Sequence, residues 1–326
     1  MPIGKATAVT TSNIAFIKYW GNRDQLERLP ANSSLSMNLA ALTTTTTVEF
    51  DPALPADVVM IGGRTITGPG RDRVSRVLDR VRAWRGLSAY ARVDSRNNFP
   101  SGAGLASSAS AFAALALAAS AAAGLQLDEA QLSRLARFGS GSACRSVPGG
   151  FVEWTAGEDD RSSYAHSLAP ADYWDLRDVI ALIDLSHKSI GSTQGHALAD
   201  TSPLQAARLA TVPDRLARAR QAILDRDFAA LTEVVEQDSL MMHAVMITSS
   251  PPLLYWQPGT LAVLHAVTEW RAAGLPCCAT IDAGPNVHVI CPAEAAPEVE
   301  RRVRAVAGVR QVLVSGPGGP AVLIGA

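Results

Sequence analysis

No excess of charge of either sign runs through this chain, in which 29 Lys and Arg stand against 30 Asp and Glu over 326 residues. A balanced field gives no support for general nucleic-acid or membrane binding, and any attraction for a phosphorylated ligand must be local. Cysteine is scarce. Cys144, Cys277, Cys278 and Cys291 have neither zinc-site nor disulfide-framework spacing, and the adjacent Cys277 and Cys278 read as small core residues. His187, His196, His243, His265 and His288 make no recognisable metal spacing. The first residues lack the apolar centre of a signal peptide, and the longest apolar run, around 111–123, is too short and alanine-rich to span a bilayer. A cytoplasmic location is expected. Also missing are a Walker A loop, a strand–Gly-x-Gly-x-x-Gly–helix unit and any simple short repeat.

What is present centres on Pro100-Ser101-Gly102-Ala103-Gly104-Leu105-Ala106-Ser107-Ser108-Ala109-Ser110, which runs straight into alanines through 123. Gly102 and Gly104 let the backbone turn tightly and approach a ligand, and alanine is the strongest helix former. A loop feeding a helix N-terminus presents unpaired N–H groups and favours an anion, typically a phosphate. The hydroxyls of Ser107, Ser108 and Ser110 add donors or metal ligands.

Around this loop the pattern is α+β. Residues 5–11 and 43–50 predict strands, the second a threonine run with one wet face, and 58–66 a hairpin. Residues 71–84 predict an amphipathic helix with Val74, Val77, Leu78, Val81 and Trp84 on one face, its arginines forming a solvated surface. A strand over 91–95 leads into the phosphate loop, and a helix over 127–138 delivers the small-residue segment 140–146. From about 178 the pattern restarts with a buried strand, helices at 203–222, 228–246, 260–273 and 297–307, and strands at 278–281, 287–291, 311–315 and 321–324. Two lobes are expected, 1–177 and 178–326.

The run Pro100 to Ala109, Pro-x-x-x-Gly-Leu-x-Ser-Ser-Ala, resembles the ATP-binding motif of the GHMP kinase superfamily. Three further stretches resemble its mevalonate-diphosphate decarboxylase branch in the right order. They are Asn13-Ile14-Ala15-Phe16-Ile17-Lys18-Tyr19-Trp20-Gly21; Gly139-Ser140-Gly141-Ser142-Ala143-Cys144-Arg145-Ser146 with Gly149-Gly150-Phe151-Val152-Glu153-Trp154; and Asp282-Ala283-Gly284-Pro285-Asn286. The resemblance implies a two-lobed GHMP-kinase-type fold with a ribosomal-protein-like N-terminal lobe that binds ATP and a ferredoxin-like C-terminal lobe that completes the substrate site. It also implies a homodimer, with ATP and Mg²⁺ as cofactors and a phosphorylated mevalonate as substrate.

By the same resemblance, Ser95, Asn97, Pro100, Gly102, Gly104, Leu105, Ala106, Ser107 and Ser108 bind nucleotide, with Ser107 on the metal. Tyr19, Asn22, Ser140, Ser142, Arg145 and Ser192 bind substrate. Arg145 suits a carboxylate through its two-pronged donor geometry. Asp282 would accept or orient the proton of a tertiary hydroxyl while ATP phosphorylates it, and Lys18 would neutralise charge there. Family members that stop at the phosphate ester depart from the pattern at such positions, and this chain keeps both, so decarboxylation is expected to follow. A catalytically silent relative is expected to have lost the phosphate loop or Asp282.

One departure bears on the substrate. The diphosphate-specific enzymes usually continue the first motif as Tyr-Trp-Gly-Lys, and here the fourth position is Asn22, followed by Arg23. Losing that cation removes a charge-assisted contact of about 1.5–3 kcal/mol, which matters more for a diphosphate than a monophosphate. Mevalonate 5-phosphate is the expected substrate. The alternatives are 5-diphosphomevalonate and, with no CO₂ release, a small-molecule kinase.

Overall fold

Long β-branched strands set the frame of the first lobe. The computed structural model describes residues 4–100, 105–185 and 191–325, except for the Ser192 side chain. Strands β1 (Lys5–Ile17) and β4 (Ser34–Asp51) pair antiparallel from Lys5 opposite Glu49 to Ile17 opposite Leu35, with register shifts after Thr11 and Ala15. Both are longer than the sequence pattern predicts, and β1 carries the chain directly to Lys18. Between them lies a small hairpin, β2 (Asn22–Asp24) and β3 (Leu29–Pro30).

Alternation along β4 buries Leu42, Thr44, Thr46, Val48 and Phe50. The two buried threonines are fully covered and therefore need partners. Thr44 Oγ1 donates to Asn97 Oδ1 at 2.7 Å and shares a hydroxyl–hydroxyl hydrogen bond with Ser110 Oγ at 2.6 Å, and Thr46 bonds Ser95 Oγ at 2.8 Å. The dry face of the threonine run thus ties the sheet to the helix that follows the phosphate loop. Ser110, expected to offer its hydroxyl to a ligand, is fully buried in this contact instead.

The lobe continues with β5 (Val58–Ile61), β6 (Arg64–Ile66), α1 (Pro69–Arg85), β7 (Tyr90–Asn97), α2 (Ser107–Ala122), α3 (Glu129–Gly139), a 3-10 turn Gly141–Ser146, β8 (Phe151–Trp154) and β9 (Ala165–Ala169). Helix α2 lies on β1 and β4, because its alanines let the backbones approach closely.

The second lobe runs β10 (Leu176–Leu182), α4 (Ser192–Leu198), α5 (Gln205–Asp225), α6 (Phe228–Ile247), α7 (Pro258–Ala272), β11 (Cys278–Thr280), β12 (Val287–Pro292), α8 (Ala296–Ala305) and β13 (Gln311–Ser315). Its four strands pair antiparallel in the order β11-β12-β10-β13, the ferredoxin-like arrangement. The last strand, β14 (Val322–Ile324), returns to the first lobe and pairs with β1. The first sheet accordingly reads β14-β1-β4-β7-β5-β6, with β8 on β4 and β9 on β8.

Period-two alternation along β10 separates two cores. Val179 and Ala181 pack on Val263 and Val267 of α7 and Val299 and Val303 of α8. Ile180 and Leu182 face the other way, into a core that holds Leu216, Ile223, Leu231 and Val235 together with Ile14, Phe16, Leu35 and Met37 of the first lobe. At about 1.5–3 kcal/mol for each fully buried aliphatic side chain, this shared core fixes the second lobe against the segment that carries Lys18.

Candidate active site

A cavity of about 580 Å³ opens between the lobes. Its apolar wall comes from Val59, Ile61 and Ile66 of the hairpin, Val74, Val93 and Leu115. Beside them stand Ser95, Asn97, Ala106, Ser107 and Ser108 at the start of α2. Ala106 adopts the left-handed conformation at φ 49°, a sharp turn that sets α2's first residues against the cavity. Ser108 and Ser140 meet through their hydroxyls at 3.1 Å, joining the two small-residue segments. Among the expected nucleotide residues, Pro100 and Leu105 do not line the cavity. Leu105 is buried in the core shared by the lobes, because its side chain is apolar. Gly102 and Gly104 lie outside the described residues, as does the side chain of Ser192.

Lys18, Arg145 and Asp282 come from three distant segments and all line this cavity. Both backbone polar groups of Lys18 are gripped by the second lobe. Its N–H donates to Asp238 Oδ2 at 2.6 Å, and its carbonyl accepts from Arg208 at 2.8 Å and Asn32 at 2.9 Å. Arg215 donates to the other oxygen of Asp238 at 2.7 Å. These α5 and α6 groups are buried, so their charges are compensated by one another and by backbone. The Lys18 ammonium, 1% exposed, donates to Asp282 Oδ1 at 2.7 Å.

Asp282 follows β11 in a tight turn, Gly284 N–H donating to the Asp282 carbonyl at 2.6 Å. Asn286 pins that turn by accepting from the Ile183 and Asp184 backbones. Burial alone would push the Asp282 carboxyl up, but Lys18, then His288 and Arg145, outweigh it and hold the group below the usual carboxylate range. It is an anion at neutral pH.

Arg145 sits on the 3-10 turn with its guanidinium 2% exposed. It donates to Ser34 Oγ at 2.5 Å and Asn13 Oδ1 at 3.3 Å, while its buried Nε has no partner among the described residues. Burial lowers its proton affinity, and no carboxylate among the described residues forms a salt bridge with it. A buried guanidinium with a free donor is suited to an anionic ligand.

Ser140, Gly141, Ser142 and Tyr19 complete this wall. A Cβ on Gly141 would lie 2.5 Å from the Tyr19 ring, so the close approach requires glycine. The Tyr19 ring packs edge-on against Trp154 at 4.7 Å and stacks on His196 at 4.1 Å, and burial pushes its phenol up, leaving a neutral donor. That hydroxyl donates to Asn22 Oδ1. Asn22 itself is buried off the cavity wall, its amide nitrogen on Gln25 at 2.9 Å. Arg23 points to the carbonyls of Ala156 and Gly157.

Two cations that the sequence reading missed also line the cavity. Arg73 of α1, read as part of a solvated surface, turns inward. Its Nε donates to the Gly139 carbonyl at 2.7 Å and its guanidinium lies 4.6 Å from the Phe112 ring centre. Arg28 donates to the Phe138 carbonyl at 3.1 Å. Neither has a carboxylate partner among the described residues, and burial followed by mutual repulsion lowers the proton affinity of Arg73. The available signal was position: Arg73 lies one turn before Val77, on the flank of the buried stripe. Thr193 and His196 of α4 are further unanticipated wall residues.

No group of three or more His, Cys, Asp or Glu fit to hold a metal ion occurs among the described residues. No described helix is long and apolar enough to cross a membrane.

Comparison with known proteins agrees with this architecture. Residues 10–165 match the profile of the diphosphomevalonate decarboxylase-like N-terminal domain, and 179–314 that of the mevalonate 5-diphosphate decarboxylase C-terminal domain. The chain is 38% identical to a diphosphomevalonate decarboxylase of Ganoderma lucidum, over 92% of this chain and 81% of the relative. It is 37% identical to a phosphomevalonate decarboxylase of Haloferax volcanii, over 98% of both. The crystal structure of mevalonate diphosphate decarboxylase from Staphylococcus aureus superposes with a TM-score of 0.94 at 38% identity, over 99% of this chain and 98% of that one. A related structure, in complex with MVAPP, the ATP analogue AMPPCP and magnesium, superposes at 0.93 with 38% identity over 99% of both. The chain belongs to the diphosphomevalonate decarboxylase family, whose members also include phosphomevalonate decarboxylases.

Proposed function

We propose that this protein is an ATP-dependent decarboxylase of mevalonate 5-phosphate that releases isopentenyl phosphate, phosphate and CO₂. The carrying observation is at position 22. The diphosphate enzymes usually have a lysine there, and here an amide is engaged with Tyr19 and Gln25 while the neighbouring Arg23 is turned toward Ala156 and Gly157. Neither position 22 nor position 23 therefore adds a cation to the wall beside Tyr19.

The nucleotide fits the apolar wall of Val59, Ile61 and Val93 beside the α2 N-terminus, where the positive end of the helix dipole and the Ser107 and Ser108 hydroxyls suit phosphate oxygens. Mg²⁺ would be held by those oxygens and Ser107. ATP with Mg²⁺ supplies the phosphoryl group that turns a tertiary hydroxyl into a leaving group.

The protein's own residues do the rest. Arg145, which lines the cavity with no salt-bridged carboxylate among the described residues, takes the substrate carboxylate. Asp282, an anion of depressed proton affinity, orients the 3-hydroxyl as a hydrogen-bond acceptor more than it removes the proton, a role suited to the loose transition state of phosphoryl transfer. Lys18 offsets negative charge at the reacting oxygen. When the C3–O bond breaks and phosphate leaves, the electron pair of the C1–C2 bond becomes the C2–C3 double bond and CO₂ departs.

Arg28 and Arg73, two cavity cations with no carboxylate partner among the described residues, favour a second reading in which 5-diphosphomevalonate is the substrate. Comparing kcat/KM for the two substrates decides between them. The monophosphate is expected to be preferred, and Asn22→Lys to move the ratio toward the diphosphate by about 10–100-fold, the worth of one charged hydrogen bond. A wild-type preference for the diphosphate would overturn the first reading.

A further inference from the structure

His196 occupies an unusual position in the cavity wall. Its ring is flanked by two aromatic neighbours, stacked on Tyr19 with centroids 4.1 Å apart and tilted against Trp20 at 4.6 Å. One edge is also committed, since Nδ1 accepts the backbone N–H of Gly21 at 3.0 Å. Burial, then the charges of Arg28, Arg208 and Arg145, push this imidazole down to about 3, so the ring is neutral. With Nδ1 used as an acceptor, the single ring proton resides on Nε2. No described residue pairs with that nitrogen, and the residue lines the same cavity as Tyr19, Ser140, Arg28 and Arg145.

We propose that His196 is a specificity-determining substrate contact, its Nε2–H donating to an oxygen of the substrate's 5-phosphate. Two flanking rings and the Gly21 contact hold the donor ready, so little ordering entropy is lost on binding. A neutral donor also adds no further cation to a wall that already carries Arg28, Arg73 and Arg145, and it favours a phosphate ester over the unphosphorylated alcohol. This inference rests on reading the site as one for a 5-phosphorylated mevalonate.

Two substitutions separate the two edges of the ring. His196→Asn keeps an acceptor near the Nδ1 position and loses the Nε2 donor; His196→Gln places an amide nitrogen near Nε2. Binding of mevalonate 5-phosphate, of unphosphorylated mevalonate and of ATP is measured by calorimetry without turnover, with steady-state kinetics alongside.

The Asn variant is expected to bind mevalonate 5-phosphate roughly tenfold or more weakly, the factor carried by a hydrogen bond to a charged group. Its affinities for unphosphorylated mevalonate and ATP should change less than about threefold, and the Gln variant should recover most of the loss. Unchanged affinity for the phosphate ester in the Asn variant overturns the inference. So does an equal loss for all three ligands, the mark of a structural role. A wild type that binds the ester in a His196-dependent manner without turning it over refutes the decarboxylase reading and leaves this contact standing. Wild-type turnover with affinity independent of His196 does the reverse.

Discussion

Replacing Lys18 by methionine removes one member of the pair on which the proposed chemistry depends. At 2.7 Å and an effective dielectric of about 20, the attraction between the Lys18 ammonium and Asp282 is about 6 kcal/mol before desolvation. Asp282 retains 26% side-chain exposure and keeps Arg145 and His288 nearby, so solvent and these neighbours recover part of it. Breaking a buried pair from one side costs about 3–5 kcal/mol of stability, and a loss of about 3 kcal/mol of charge stabilisation at the reacting oxygen would separately lower kcat/KM by about 10²-fold.

The pH dependence has a definite sign. In the folded wild type Asp282 holds its proton less tightly than when unfolded. The stabilisation from Lys18 is therefore present above the unfolded value of about 3.9 and is lost as pH falls through the folded one. Without Lys18, burial raises the carboxyl against weaker opposition, and the acid limb of kcat moves to higher pH. The assay is coupled ADP release across the acid range with CO₂ measured in parallel. An acid limb that stays in place while the melting temperature drops would refute the reasoning, because Lys18 would then act only on stability.

Gly141→Ala places a methyl group 2.5 Å from a Tyr19 ring that is held between Trp154 and His196, and it should cost about 1–3 kcal/mol by thermal unfolding and raise the substrate KM. Asp238→Asn leaves the buried Arg215 guanidinium without its counter-ion and weakens the grip on the Lys18 N–H. A stability loss of about 3–5 kcal/mol in urea, with kcat falling further than KM rises, is expected, and a variant of unchanged stability would contradict that assignment.

Much of the fold was legible because pattern and packing agree. The hairpin at 58–66, the strands at 287–292 and 311–315 and the helices on either side of 226 fall close to their expected places, since their runs of Val, Ile and Leu are bounded by turn residues or repeat at helical spacing. Strands β8 and β9 escaped notice. Phe151–Trp154 is buried on both faces and four residues long, too short for any period to register. The threonine run of β4 has the one wetter face expected of it, but the partners of its inward hydroxyls, Ser95, Asn97 and Ser110, are not revealed by sequence spacing.

At the site, motif residues such as Lys18, Arg145 and Asp282 line one cavity. Arg28, Arg73 and His196 were invisible for a physical reason. Each owes its place to a contact between segments distant in the chain, such as Arg73 with Gly139 and His196 with Gly21, and no local pattern encodes such a contact.

The most direct test of the central claim is the stoichiometry of ADP and CO₂ in one reaction with mevalonate 5-phosphate and Mg-ATP. Equal release of the two, with isopentenyl phosphate as the organic product, is the predicted result. ADP formed without CO₂ would make the protein a kinase, and no turnover of the monophosphate alongside brisk turnover of the diphosphate would contradict the substrate assignment drawn from Asn22.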